Sequence, residues 1–105
     1  MNTQVKQLTP EAGKLYRKIR RQWQIRDEPG LTLLLTACQA LDRMREAQKL
    51  LAAEGIMRAD RFGQDKPHPA TQVEKESRAG LLQALKGLSL DLDSLEANNA
   101  PKKKG

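Results

Sequence analysis

Apolar residues in this chain recur at spacings of three and four, and the longest such stretch is LTLLLTACQALDRMREAQKLLAAE, from Leu31 to Glu54, closed by Gly55. It contains no Pro or Gly, and Leu34, Ala37, Leu41, Met44 and Leu51 fall on one face of the helix it predicts, a series broken only at Gln48. At ~1.5 Å per residue this helix is about 36 Å long. A small chain has little other material to cover so long an apolar face, so these five residues are expected to form a seam between copies. An earlier helix is predicted from Pro10 to about Ile25, with Thr9 as its cap, Pro10 in its first turn and Glu11 where the helix dipole favours an anion. Ala12, Leu15, Tyr16, Ile19 and Trp23 make its core stripe. Lys14, Arg17, Lys18 and Arg21 make a second stripe beside it, with Arg20 at the edge.

Asp27-Glu28-Pro29-Gly30 interrupts the pattern, so the long helix is expected over about 29–54 and the first two helices are expected to meet at an angle. Residues 55–69 read as an ordered loop that fits a small hairpin around Asp60 to Gly63, anchored by Phe62. A last helix is predicted over about 70–88, with Val73, Gly80, Leu81, Ala84, Leu85 and Leu88 facing the long helix and Glu74 paired with Arg78. Gly80 and Gly87 are costly in a helix and suit a close antiparallel neighbour. The expected architecture is therefore all-α: a basic N-terminal helix followed by a long antiparallel helical hairpin. Residues 1–96 form one helical domain and residues 97–105 a flexible basic tail.

Composition supports the class, since Val occurs twice and Ile three times, leaving few of the β-branched aliphatics that strands prefer. The net charge of +6 is unevenly placed. Residues 1–26 carry seven basic residues against one acidic, residues 27–96 carry nine against twelve, and Lys102, Lys103 and Lys104 lie in the tail. Positive charge gathered at the two ends suits a polyanionic partner, with nucleic acid the commonest and a solvated charged face the alternative. A helix-turn-helix reader fits poorly, because the second helix is too long, Leu-rich in its first turns and mixed in charge. The lone cysteine, Cys38, excludes an internal disulfide and reads as a small core hydrophobe in a reducing cytoplasm. No apolar run approaches the ~20 residues of a membrane span, and no signal-peptide pattern opens the sequence, so a soluble, unexported protein with no membrane partner is expected.

Catalytic chemistry finds no purchase in the sequence. There is no Gly-rich phosphate loop, no metal-ligand spacing and no nucleophile with a matched base, and His68, the only histidine, stands between two prolines as a structural residue. The expectation is a non-enzyme without cofactor or metal. The order LTPEAGKLYRKIRRQW, then ALDRMREAQKLLAAEG, then DRFGQDKPHPATQVEKESRAGLLQALKGLSLDL resembles the small terminase subunits of tailed double-stranded DNA phages over roughly residues 8–92. Its most specific pieces are LTPEA, the positions Asp42, Arg43, Glu46 and Ala47, the passage from GIM to RFG, and KPHPA.

The resemblance implies a ring-forming, non-catalytic DNA-packaging factor in the host bacterial cytoplasm. Such a factor recognises double-stranded viral DNA and regulates a large terminase subunit that carries the ATPase and nuclease. Many small terminases have a separate helix-turn-helix domain, for which this sequence has no room before its hairpin. Lys14, Arg17, Lys18, Arg20 and Arg21 are therefore proposed as phosphate contacts from charge clustering alone. The tail lysines are a second basic site, and Leu90 to Glu96 with the tail is the expected contact for the large subunit. The competing reading is a small helical DNA-binding regulator or interaction module unrelated to packaging.

Overall fold

The computed structural model describes residues 3–89, so the expectations for Leu90 to Glu96, for the tail from residue 97 and for Lys102, Lys103 and Lys104 lie outside the described residues. The elements are α1 (Thr3–Lys6), α2 (Pro10–Gln22), α3 (Glu28–Glu54), β1 (Met57–Ala59), β2 (Asp65–Pro67) and α4 (Pro69–Gly87). The all-α class and the α3–α4 hairpin are as the hydrophobic pattern predicts. One short helix is additional: α1 lies in what reads as a polar lead, and it forms because Val5, 6% exposed, packs into the core while Leu8 covers it from outside.

Helix α2 starts as its sequence demands, with the Thr9 hydroxyl oxygen accepting the Ala12 N–H at 3.2 Å. It stops three residues sooner than expected. Gln24 adopts φ 51°, which lets Ile25 N–H reach the Arg20 carbonyl at 3.0 Å and Gln24 N–H reach that of Arg21 at 3.3 Å. This paired closure usually announces itself with glycine, and here a glutamine takes the left-handed position, leaving nothing in the sequence to mark the stop. The chain then reverses tightly. At Gly30 a Cβ would stand 2.8 Å from Ile25 Cγ2 and 2.9 Å from Asp27 Oδ1, so a larger residue would push apart the turn in which Asp27 caps α3. Helix α2 consequently runs back along α3, with Thr9 beside Asp42 and Ile25 beside Gly30, instead of leaving it at an open angle.

The core lies where α2 and α4 cover α3. Ile19, Leu34 and Cys38 are its largest fully enclosed side chains, and Tyr16, Ala37, Leu41, Met44, Ala84 and Leu85 complete it. This corrects the expectation of a seam between copies on the long helix. Leu34 and Ala37 are 0% exposed, Leu41 6% and Met44 7%, and Leu51 is half-buried, all within one chain. The stripe is covered from two sides at once by α2 and α4, a possibility that is lost when each helix is weighed alone. Further along, the spacing 34, 38, 41, 45, 48 passes from apolar residues to Arg45 and Gln48, which is where α2 begins and polar partners become available.

Between α3 and α4, β1 and β2 pair antiparallel with Met57 opposite Pro67 and Ala59 opposite Asp65. Asp60 closes the connecting loop by accepting the N–H groups of Phe62 at 2.8 Å and Gln64 at 2.9 Å, and Gly63 supplies φ 80°. Phe62 does not anchor this ribbon: it is 77% exposed, with the Arg61 guanidinium 5.2 Å from its ring centroid. The buried residue here is His68, which caps α4 by accepting Ala70 N–H at Nδ1 (2.9 Å) and meets Glu54 Oε1 at 2.7 Å through Nε2. Because Nδ1 must offer a lone pair to that N–H, the ring proton sits on Nε2 and is donated to Glu54. Helix α4, 19 residues against the 27 of α3, then runs back along most of α3 and ends with Gly87 against Leu33. Val73, expected inward, is 40% exposed, and Ser77 is buried in its neighbourhood instead.

Candidate nucleic-acid interface

Helix α2 presents its core side through Ala12, Tyr16 and Ile19, and its 3.6-residue period then places Lys14, Arg17, Lys18 and Arg21 on the opposite face. All four are exposed, as is Arg20 on the flank. Among the described residues the ion pairs are Arg45 with Glu11, Lys66 with Asp60, Arg78 with Glu74 and His68 with Glu54, so none of the five basic residues of α2 is neutralised by a neighbour. Arg17 folds back over Gly13, where an added Cβ would sit 3.3 Å from its Nη1.

The five do not form one patch. Arg17, Arg20 and Arg21 line a surface depression of about 410 Å³ at the C-terminal end of α2, together with Gln24, Ile25 and Arg26, whereas Lys14 and Lys18 stand outside it. Arg26 escapes a reading of helix periodicity because it lies beyond the helix. The left-handed turn at Gln24 brings it back beneath the guanidinium groups, and the only trace of it in the sequence is the basic excess of residues 1–26. A helix C-terminus carries roughly half a negative charge, which disfavours an anion. Four arginines outweigh that several times over, and the planar guanidinium forks suit phosphate oxygens.

Two contacts set the orientation of this face. The Thr9 backbone N–H donates to Asp42 Oδ2 at 3.0 Å and its hydroxyl donates to Asp42 Oδ1, while Arg45 Nε donates to Glu11 Oε1 at 3.2 Å and Oε2 at 3.1 Å. Both hold the start of α2 to the middle of α3. The network continues from Arg45 to Gln48 at 2.8 Å and from Gln48 to Glu74 at 3.1 Å, where Arg78 also meets Glu74, so all three long helices are tied by polar groups on one side. The Gln48 amide, and then Arg78, hold the Glu74 carboxyl below its ordinary value of 4.5. Arg45 and Glu11 are each about half exposed, at 49% and 52%, so the pair adds under about 1 kcal/mol and chiefly fixes direction. Sequence reasoning placed Asp42 and Arg45 on a mixed polar face; their partners 33 and 34 residues away become visible only in the fold.

Among the described residues no three His, Cys, Asp or Glu side chains converge to hold a metal ion, and no helix is long and apolar enough to cross a membrane. Cys38 is fully enclosed, and burial, with a smaller contribution from Asp42, pushes its thiol up to about 12. The fold and this surface define a small helical-hairpin domain with an unpaired cationic helix face. No protein-family model, curated protein or solved structure matches the chain.

Proposed function

We propose that this chain is a small terminase subunit: a non-catalytic factor that binds double-stranded viral DNA, assembles as a homo-oligomeric ring and regulates a large terminase ATPase and nuclease. The observation that carries the DNA-binding part is the outward face of α2, where Lys14, Arg17, Lys18, Arg20 and Arg21 stand exposed without acidic partners while α2 itself is pinned to α3. The packaging role rests on the resemblance over roughly residues 8–92, whose segments come in the same order along this sequence. Binding on this reading is to the sugar-phosphate backbone, is weak for one chain and strengthens when a ring repeats it. Its affinity falls with salt, with a slope of about −0.9 in log–log form for each phosphate neutralised.

The test is fluorescence anisotropy with a duplex across a salt series. Replacing Arg17, Lys18 and Arg21 together by Glu is expected to remove binding at moderate salt while circular dichroism remains helical. Retained binding would move the site elsewhere in the chain. The regulatory part is tested separately with a cognate large subunit, whose ATP turnover the full chain is expected to raise. Turnover by the purified chain alone would refute the non-enzymatic reading.

A further inference from the structure

Helix α2 reaches only half way along α3. Its 13 residues span about 20 Å against about 40 Å for the 27 of α3, so α2, held at Asp42 and Arg45, does not extend along the last turns of α3, which lie beside α4 and the β-ribbon. This leaves an open groove of about 860 Å³ between α3, β1 and the first turn of α4. Its apolar floor includes Leu50, Ala53 and Val73, with Leu50 43% and Val73 40% exposed. Arg43, Lys49 and Arg58 rim it against a single carboxylate, Glu46, and none of these three cations has an ion-pair partner among the described residues. The groove therefore asks for an occupant that brings apolar side chains and negative charge together.

Leu90 to Glu96, LDLDSLE, has that composition: Leu90, Leu92 and Leu95 interleaved with Asp91, Asp93 and Glu96, and no basic residue. It cannot serve its own chain. The groove takes the start of α4, at Val73, whereas the segment follows its end, at Gly87, about 21 Å away along the helix. At ~3.3 Å per residue, the return journey uses up roughly six or seven residues, which are those carrying Leu90, Leu92 and both aspartates.

We propose that the 90–96 segment of one copy docks in the α3–β1–α4 groove of the next, its leucines on Leu50, Ala53 and Val73 and its carboxylates against Arg43, Lys49 and Arg58. The groove lies at the ribbon end of the hairpin and α4 ends at the other, so the contact is head-to-tail, and repeating it closes a ring or extends a filament. A seven-residue contact is small by the standard of stable interfaces, so the assembly depends on closure to hold together. This rests on the self-association part of the proposed function and not on DNA or packaging. It also assigns to neighbouring copies a segment that the sequence offers to the large subunit.

The experiment is native mass spectrometry with sedimentation velocity on full-length chains. The unaltered chain is expected to be one closed oligomer at micromolar concentration. Lys49→Glu with Arg58→Glu, and separately Asp91→Lys with Asp93→Lys, are each expected to raise the concentration needed for assembly at least tenfold. Lys49 and Arg58 are exposed, and thermal melts check that each variant folds. Mixing the two variants is expected to restore assembly as an oligomer in which they alternate, since the unaltered segment of one fits the unaltered groove of the other and the reversed segment fits the reversed groove. The chain carrying all four changes is expected to assemble again. A monomeric unaltered chain overturns both the docking and the ring. An oligomer indifferent to either pair of reversals, or a mixture in which the two variants do not assemble together, overturns the docking and leaves the proposed function standing.

Discussion

Cys38 is enclosed by the same residues that make the core, and its chemistry follows from that place. In the unfolded chain the thiol ionises near 9.0, and in the folded chain only near about 12, so unfolding releases a proton between these values. The stability that the buried neutral thiol contributes is therefore complete below pH 9 and declines as pH rises from 9 towards 12. Urea melts at pH 8 and pH 10.5 are expected to show a loss that a Cys38→Ala chain, weaker throughout because of the cavity, does not share in full. Thiol reagents at pH 8 are expected to modify Cys38 no faster than the chain unfolds; rapid native labelling would contradict its enclosure. His68 is legible in part: its place before Pro69 makes a structural residue a sound expectation. That it both caps α4 and bonds Glu54 required the ribbon to bring residues 54 and 68 together.

At the scale of elements, periodicity located α2, α3 and α4 because each has a strong apolar face, and it failed where a decision was local. Gln24 ends α2 in a left-handed conformation without the glycine that marks such ends, and Val5 makes a helix of only four residues worth forming. Gly80 is a different case. A close neighbour was the expected reason for it, yet a Cβ built there meets nothing within 4 Å, unlike Gly87, where Leu33 Cδ1 stands at 3.3 Å. Gly80→Ala is accordingly expected to stabilise the chain by about 0.5–1 kcal/mol through helix propensity and a less flexible unfolded state. Gly87→Ala gains less or loses, because Leu33 must yield. Chemical denaturation of the two variants side by side decides this.

For the whole molecule, the important fact is that α3 is twice the length of α2. One half of α3 is sealed on both sides and the other half is left with a groove, so the same helix supplies the core and a free surface. The Thr9–Asp42 and Glu11–Arg45 contacts hold the shorter helix to the sealed half and with it the cationic face. Asp42→Ala removes the acceptor for two Thr9 donors and is expected to cost about 1–2 kcal/mol, lowering the melting temperature by roughly 4–8 °C per kcal/mol in a chain of this size. Hydrogen exchange is expected to rise first in α2; uniform destabilisation would show that α2 does not depend on this clamp. On the acid side, Glu74 adds stability that is present above its ordinary value of 4.5 and lost as pH falls below it, since its carboxyl is held low by Gln48 and Arg78.

The order of the helices, their faces and the basic stripe of α2 were determined by sequence alone, because these depend on spacing within ten to twenty residues and on charge, both of which are local. Which apolar face is left over is not local. The stripe Leu34, Ala37, Leu41 and Met44 looked uncovered when α3 was considered alone, and only the simultaneous packing of α2 and α4 against it shows that one chain suffices. The grouping of Arg26 with Arg17, Arg20 and Arg21, the partners of Asp42 and Arg45, and the groove at Leu50 and Val73 belong to the tertiary structure for the same reason. Each joins residues whose distance in space is set by where a turn closes and how long the neighbouring helix is, and neither quantity is encoded in the residues that meet.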